Sequence, residues 1–115
     1  MEITRHEVGP RMTQVQVYNN TVYLCGITGD TVADDITGQT KAILARIDEL
    51  LAKVGSDKSK LLQCQIWLAD IRYYDEMNTV WDAWVAPGNA PGRATCEARM
   101  AYPNVLVEMI ATAAL

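Results

Sequence analysis

The sequence predicts an α+β domain with the element order β-β-α-β-α-β-β, in which two helices cover one face of a mixed sheet. Three observations support this prediction. Strand-like alternation of polar and apolar residues occurs near both ends of the chain, and two central segments change to helical spacing. The chain has 115 residues, half of them apolar, which suits one domain over residues 1–115.

A β-hairpin is predicted at the start of the domain. Residues 13–18 alternate polar and apolar side chains, and residues 21–27 are rich in β-branched and aromatic residues. Asn19-Asn20 separates the two segments, and Asn tolerates the positive φ angles of a tight hairpin turn. We therefore expect two antiparallel strands joined at this Asn pair.

Two amphipathic helices are predicted from the spacing of apolar residues. From about residue 33 to residue 54, apolar side chains recur at three- and four-residue steps, and Gly55 is placed to end the helix. A second helix is predicted over residues 73–85, ended by Pro87-Gly88. Its apolar face consists of Met77, Val80, Trp81 and Trp84.

Three more strands complete the predicted sheet. Residues 61–68 (LLQCQIWL) form a largely buried strand between the helices. Residues 93–101 and 105–113 form an antiparallel pair that turns near residues 102–104. The last strand is apolar on both faces, which indicates burial on both. Because the helices cover only one face, we expect another subunit to cover the second.

The charge and hydropathy patterns exclude several classes of partner. The net charge is −4, and Lys and Arg are not clustered as a nucleic-acid surface or an anionic membrane requires. No apolar stretch approaches the roughly 20 residues of a bilayer span. The N-terminus lacks the basic-then-apolar order of a secretory signal. We therefore expect a cytoplasmic protein that binds neither nucleic acid nor membrane.

The three cysteines indicate free thiols. Cys25, Cys64 and Cys96 are an odd number, and none forms a CxxC or CxxH pair. A structural zinc site is therefore not expected. All three lie in apolar, strand-like segments, which predicts buried thiols in a reducing compartment. A reactive Cys25 is the alternative, although no residue near it in sequence would lower its pKa.

Arg93 and Glu108 are the main candidates for chemistry. Glu108 lies in the middle of an apolar strand, where a carboxylate needs a partner. Arg93 begins the strand predicted to lie next to it, and a guanidinium can hold a substrate carboxylate through two parallel hydrogen bonds. The alternative is an Arg–Glu pair that joins two strands or two subunits. Asn78, in an otherwise apolar helix turn, is a weaker candidate, because an asparagine on the helix surface is the better explanation of this residue from sequence alone.

Several segments resemble the Rid (reactive intermediate deaminase, or YjgF) family. Residues 91–98 (PGRATCEA) resemble its P-x-R-[SA]-x-x-E motif, and residues 105–111 (VLVEMIA) resemble its terminal V-x-[VI]-E-[IM] strand. Residues 20–26 (NTVYLCG) are similar to its N-x-V-[YF]-x-S-G strand, and residues 67–81 are similar to its [FW]-L-x-D…[VM]-N-x-x-[WYF] stretch. The matches follow the family order along nearly the whole chain, and shorter ones point to YoaB-like members.

The resemblance implies a chorismate-mutase-like fold and a homotrimer with three clefts between subunits. It also implies hydrolysis, without a cofactor or metal, of enamines or imines derived from amino acids, giving a 2-keto acid and ammonia. In that reading Arg93 binds the carboxylate of the imine substrate. Glu108 holds or activates the attacking water, helped by the backbone carbonyl of Thr95, and Asn78 shapes the cleft. An imine carbon is already electrophilic, so orientation and one activated water can suffice.

The chain departs from the family at three positions of the implied substrate site. Arg11 stands where the family has Tyr in a G-P-Y segment, Cys25 stands where it has Ser, and Ile27 stands where it has Gln. An inward Arg11 would favour a more anionic substrate or block a small imine, whereas the alternative is a surface or interface charge. These departures keep open a small-carboxylate-binding or chaperone-like trimer without turnover. Endoribonuclease activity, attached to some relatives, is not favoured by the acidic composition.

Overall fold

The computed structural model describes residues 2–115, which form seven strands, two α-helices and two short 3-10 turns. The strands are β1 Thr4–Val8, β2 Thr13–Tyr18, β3 Thr21–Leu24, β4 Ile27–Thr28, β5 Leu61–Leu68, β6 Gly92–Glu97 and β7 Val107–Ala114. The helices are α1 Ile36–Lys53 and α2 Tyr74–Trp84, and the 3-10 turns are Lys58–Lys60 and Ile71–Tyr73. The predicted α+β class is confirmed.

All seven strands belong to one sheet, with the order β1-β2-β3-β7-β5-β6 and with β4 also paired to β7. The pairs are antiparallel except β5 with β6, which are parallel. The core lies between one face of the sheet and the apolar stripe of α1. Its largest fully buried side chains include Ile43, Leu44, Ile47, Leu50, Leu51, Ile66, Leu68, Met77 and Met109. Each such side chain stabilises the fold by about 1.5–3 kcal/mol relative to an exposed one.

The predicted hairpin and the predicted end of α1 are confirmed. Asn19 and Asn20 have φ angles of 53° and 59°, as the tight turn between β2 and β3 requires. Gly55 has φ 84°, and the backbone N–H of Ser56 donates to the carbonyl of Leu51, which satisfies the end of the helix. Within residues 2–115 no helix combines the length and the apolar composition that crossing a bilayer requires.

The predicted hairpin between the last two strands is wrong. β6 ends at Glu97 and lies at the sheet edge, parallel to β5. β7 pairs antiparallel with the other side of β5, so β5 separates the strands that carry Arg93 and Glu108. Residues 98–106 form the connection. The apolar pattern of a strand indicates which of its faces is buried, but it does not indicate which strand lies beside it.

Two further differences concern the N-terminal part of the sheet. The largely exposed edge strand β1 was not predicted, because a polar edge strand carries no buried stripe to reveal it. The segment predicted as one strand over residues 21–27 is divided into β3 and β4 at Cys25-Gly26.

The cysteines are free, but only one of them is fully buried. Cys64 lies in β5 under the helices, and burial raises the pKa of its thiol to about 12. Cys25 is half-buried, and Cys96 is exposed on β6. The prediction of three buried thiols is therefore confirmed for Cys64 and wrong for Cys96, because the second face of β6 is not covered within the chain. No group of three or more His, Cys, Asp and Glu side chains suited to a metal ion occurs in the described residues 2–115.

Candidate functional site

The sheet places Arg93 and Glu108 on opposite faces. Arg93 is paired with Cys64, which is buried beneath the helices, whereas Glu108 is paired with Trp67 on the face without helices. Paired residues on neighbouring strands point to the same side of a sheet. The two Cα atoms are two strands and three residues apart, which corresponds to roughly 14 Å. The fold of one chain therefore does not bring the guanidinium and the carboxylate together.

Arg93 lies against one stripe of α2. Tyr74, Asn78 and Trp81 are spaced four and three residues apart, so they share one face of the helix. The guanidinium carbon of Arg93 is 5.2 Å from the ring centroid of Trp81 and 5.8 Å from that of Tyr74. Its Nη2 also donates to the Tyr74 hydroxyl at 3.3 Å. Two aromatic rings thus hold this cation through cation–π contacts.

A cleft of about 480 Å³ opens beside the guanidinium, and we call it the Arg93 cleft. It is lined by Ile71, Arg72, Tyr74, Asp75, Arg93 and Thr95. Arg72 is bound to Asp70, with Nη2 to Oδ2 at 2.6 Å and Nε to both carboxylate oxygens at 3.1 Å. These hydrogen bonds lower the pKa of Asp70 to about 2. Arg93 has no such ion pair within residues 2–115, so it is the cation available to an anionic ligand.

Two buried polar atoms flank the guanidinium without hydrogen-bond partners. Thr95 lies two residues after Arg93 on the same side of β6, and its Oγ1 is unpaired. Asn78 lies between Tyr74 and Trp81 on the facing helix, and its Oδ1 is also unpaired. A buried polar atom without a partner costs about 1–3 kcal/mol. Such atoms are suited to a ligand that supplies the missing hydrogen bonds.

Glu97 fixes the wall of the Arg93 cleft. Its Oε1 accepts a hydrogen bond from the backbone N–H of Ile71 at 2.9 Å, which ties the turn before α2 to the end of β6. Sequence reasoning placed Glu97 in a family motif without giving it a role, and it assigned Trp81 to the core and left Tyr74 out. The four- and three-residue spacing from Tyr74 to Trp81 was the signal that could have placed both beside Asn78.

Glu108 lies on the open face beside a bulge. Between the ladder pairs Tyr23–Thr112 and Ile27–Met109, three residues of the first strand segment stand opposite two residues of β7, so Cys25 and Gly26 leave the regular ladder. A Cβ atom at Gly26 would collide with the carboxylate of Glu108. The half-buried carboxylate therefore lies directly over the Gly26 backbone, in space that only glycine leaves free. We call Glu108, Cys25 and Gly26 the Glu108 patch.

The structure does not favour a reactive Cys25. Its Sγ donates to Oε1 of Gln14 at 3.3 Å. Burial raises the pKa of the thiol, and the nearby Glu108 carboxylate raises it further. The thiol is therefore protonated at neutral pH, whereas a nucleophilic cysteine must be a thiolate.

Arg11 lies far from Arg93 within the subunit. It is exposed in the turn between β1 and β2, and β2 is four strand spacings, about 19 Å, from β6. Five of the six candidate residues thus form two groups, and Arg11 belongs to neither. Arg93 and Thr95 line the Arg93 cleft, with Asn78 between Tyr74 and Trp81 on the facing helix. Glu108 and Cys25 belong to the Glu108 patch on the open face, and Arg11 lies towards the opposite edge of the sheet.

Comparison with known proteins gives consistent matches over the whole chain. The family described as Endoribonuclease L-PSP matches residues 6–115. A RutC family protein of Haemophilus ducreyi is 45% identical over 113 residues, covering 98% of this chain and 97% of the relative. The RutC family protein YoaB of Escherichia coli is 41% identical over 115 residues, covering 100% of both.

A more distant relative and a solved structure extend these matches. Reactive Intermediate Deaminase A, chloroplastic, of Arabidopsis thaliana is 27% identical over 114 residues, covering 94% of this chain and 60% of the relative. The crystal structure of a YjgF-family protein from Neisseria meningitidis superimposes with a TM-score of 0.96 at 41% identity, covering 99% of this chain and 95% of the other.

Proposed function

The chain belongs to the YjgF/Rid family, whose family model is described as Endoribonuclease L-PSP. We propose that it is a cofactor-independent deaminase of enamine or imine intermediates derived from amino acids. The reaction adds water to the C=N bond of a 2-imino acid and releases a 2-keto acid and ammonia. The relative from Arabidopsis thaliana, which is named a reactive intermediate deaminase, supports this class of reaction.

The observation that carries the proposal is the unpaired Arg93 guanidinium at the Arg93 cleft. Trp81 and Tyr74 hold it in place, so its binding geometry is prepared before a ligand arrives. A guanidinium binds a carboxylate through two parallel hydrogen bonds, and every 2-imino acid carries a carboxylate. The unpaired Oγ1 of Thr95 lies beside it as a further donor to the same ligand.

We further propose that the active site forms between the subunits of a homotrimer. Arg93 and Glu108 of one chain lie on opposite faces of the sheet, so a site containing both needs two subunits. The open face that carries Glu108 also exposes apolar side chains, among them Tyr23 at 42% and Ile110 at 38%. Contiguous apolar surface of this kind is typical of subunit interfaces. In this arrangement Cys25 and Arg11 reach the cleft from the neighbouring subunit.

The proposed chemistry needs one base and one oriented water. Glu108 takes a proton from the water while the oxygen bonds to the imine carbon, and the protonated Glu108 returns that proton to the imine nitrogen, giving a neutral carbinolamine. Glu108 then takes the hydroxyl proton of the carbinolamine and passes it to the amino nitrogen, so that the C–N bond breaks, ammonia leaves and the C=O bond of the keto acid forms. The backbone carbonyl of Thr95 accepts a hydrogen bond from the second O–H of the water, and Asn78 lies between Tyr74 and Trp81 on the helix that faces Arg93. A positioned base of this kind accelerates a reaction by about 10²–10⁴-fold.

The test measures ammonia release above the spontaneous rate when the full chain meets imines generated by an amino-acid oxidase. Arg93→Gln should weaken substrate binding, and Glu108→Gln should lower the turnover rate by about 10²–10⁴-fold. Arg99→Gln is the matched control, because Arg99 is an exposed arginine on the connection before β7. Equal rates for wild type, Arg93→Gln and the spontaneous reaction across several imines would refute the proposal.

A small-carboxylate-binding trimer without turnover is the second candidate. It is favoured by the observation that the Arg93 cleft forms within one chain, while the Cα atom of Glu108 lies roughly 14 Å from that of Arg93. Tight binding of a 2-keto acid by a protein that gives no ammonia above background would support this candidate. Turnover that depends on Glu108 would exclude it.

A further inference from the structure

A second concave surface lies on the other side of α2 from the Arg93 cleft, in the groove between α1 and α2. Its volume is about 520 Å³, which is in the range of small-molecule sites. Leu44 and Ala45 of α1 and Val80 and Ala83 of α2 form an apolar floor. Because the side chains of the two alanines are small, they leave room for a flat ligand between the helices.

Trp84 closes one end of this α1/α2 groove in a fixed orientation. Its indole N–H donates to Oδ2 of Asp48 at 2.9 Å. Its ring packs at 5.5 Å from the ring of Trp81, tilted by 55°. The ammonium of Lys58 lies 5.2 Å from the centroid of the Trp84 ring. The end of the groove therefore combines a rigid aromatic surface with an adjacent cation.

The charges around the groove favour one negative group and disfavour a second. Lys41 and Lys58 both line it, and neither forms an ion pair within residues 2–115. Among residues 2–115, Asp48 is the one acidic side chain that lines the groove, and its carboxylate already accepts the Trp84 indole N–H. The local charge is thus +1 in a chain whose net charge is −4. A carboxylate can bind Lys58, whereas a second carboxylate near Asp48 would be repelled.

We propose that the α1/α2 groove is a second binding site, for a small monocarboxylate with an aromatic or other apolar body. The carboxylate binds the Lys58 ammonium, and the body lies against Val80, Ala83 and the Trp84 ring. This site uses no residue of the Arg93 cleft or of the Glu108 patch, so it does not depend on the proposed deaminase activity.

The three tryptophans allow a direct test because each reports on a different surface. Trp84 lies in the groove, Trp81 lies beside Arg93, and Trp67 lies on the open face. The ¹⁵N-labelled full chain is titrated with 3-phenylpropanoate, and the three indole N–H signals are followed after assignment by Trp→Phe variants. We expect the Trp84 signal to shift with saturation in the wild type and in Arg93→Gln, where binding at the other cleft is weakened.

Matched variants and ligands complete the test. Lys58→Gln should weaken the titration of the Trp84 signal by about three- to tenfold, as expected for a partly exposed charge-assisted contact. Lys60→Gln, in the same 3-10 turn but outside the groove, should leave it unchanged. The neutral 3-phenylpropanol and the dicarboxylate phenylsuccinate should both bind more weakly. A Trp84 signal that stays fixed, or that moves equally in wild type and Lys58→Gln, would overturn the proposal.

Discussion

The Arg93 cleft and the Glu108 patch carry opposite charges and differ in how far one chain completes them. The Arg93 guanidinium is half-buried, lies over two aromatic rings and has a polar wall fixed by Glu97. The Glu108 carboxylate lies on the sheet face without helices, where it occupies the space that a Cβ atom at Gly26 would need. The chain thus places its candidate anion-binding group under its own helices and its candidate base on the sheet face without helices.

This difference follows from where each residue lies in the sheet. Arg93 is on the edge strand β6, where α2 can pack over the strand and still leave a cleft at its side. Glu108 is on the central strand β7, where it is paired with Thr28 of β4 on one side and with Trp67 of β5 on the other. Within residues 2–115 neither helix packs on the Glu108 side of the sheet, whereas α2 packs over Arg93.

The largest expected effect comes from filling the space under Glu108. Gly26→Ala places a Cβ where the carboxylate lies, so the carboxylate must move. We expect the turnover rate to fall by about 10- to 100-fold, since a small displacement of a positioned base has effects of this size. The affinity for a 2-keto acid should change little, because Arg93 is untouched. Steady-state kinetics on oxidase-generated imines, together with calorimetric binding of the keto acid, separate the two quantities.

Gly92→Ala provides the matched control for this prediction. Gly92 lies immediately before Arg93, and a Cβ there would make only ordinary contacts of 3.5 and 3.9 Å. Its kinetics should stay close to those of the wild type. If Gly26→Ala also retained full turnover, the carboxylate of Glu108 could not be the positioned base.

The fold was largely predictable from the sequence because burial leaves periodic patterns. The stripe of α1, the apolar face of α2 and the alternation in β2 and β7 all mark surfaces that turn towards one core. The Asn19-Asn20 turn was predictable because few residues tolerate its φ angles. The pairing partner of β6 was not, since neighbouring strands in a sheet are chosen by packing between segments distant in sequence.

The candidate site was predictable in its residue types and not in its arrangement. Arg93 and Glu108 stood out as charges in apolar strands, and both do adjoin concave or open surfaces. Their placement on opposite faces depends on β5 lying between their strands, which no local pattern indicates. The contact between Trp81 and Arg93 was not predicted, because Trp81 also belongs to the hydrophobic core. The apolar periodicity of α2 marks such a residue as a core residue and does not indicate that its ring also contacts a cation.

A smaller effect is expected from changing the shape of the Arg93 cation while keeping its charge. Arg93→Lys replaces a planar fork by a point charge, which cannot form two parallel hydrogen bonds or lie flat on Trp81. We expect the affinity for a 2-keto acid to fall by about tenfold, as for the loss of one hydrogen bond to a charged group. For the imine substrate, the loss of affinity should raise KM and leave kcat nearly constant. A matching fall in kcat would instead place Arg93 in the chemical step.

The smallest expected effect concerns Asp70, whose pairing with Arg72 leaves Arg93 as the available cation of the cleft. The Arg72 hydrogen bonds lower the pKa of Asp70 to about 2, from an unfolded value of about 3.9. A carboxyl whose pKa is lower in the folded state stabilises the fold at pH values above its unfolded-state pKa, and it loses that contribution as the pH falls towards its folded-state pKa.

Between pH 4 and pH 2 the free energy of unfolding of the wild type should therefore decrease more steeply than that of Asp70→Asn, as measured by urea denaturation at each pH. Arg72→Gln should flatten the slope by a smaller amount, because the backbone N–H of residue 72 still donates to Asp70 at 2.9 Å, and adding it to Asp70→Asn should change nothing further. Full additivity of the two would mean that Arg72 is not held by Asp70, and the Arg93 cleft would then contain two free guanidinium groups.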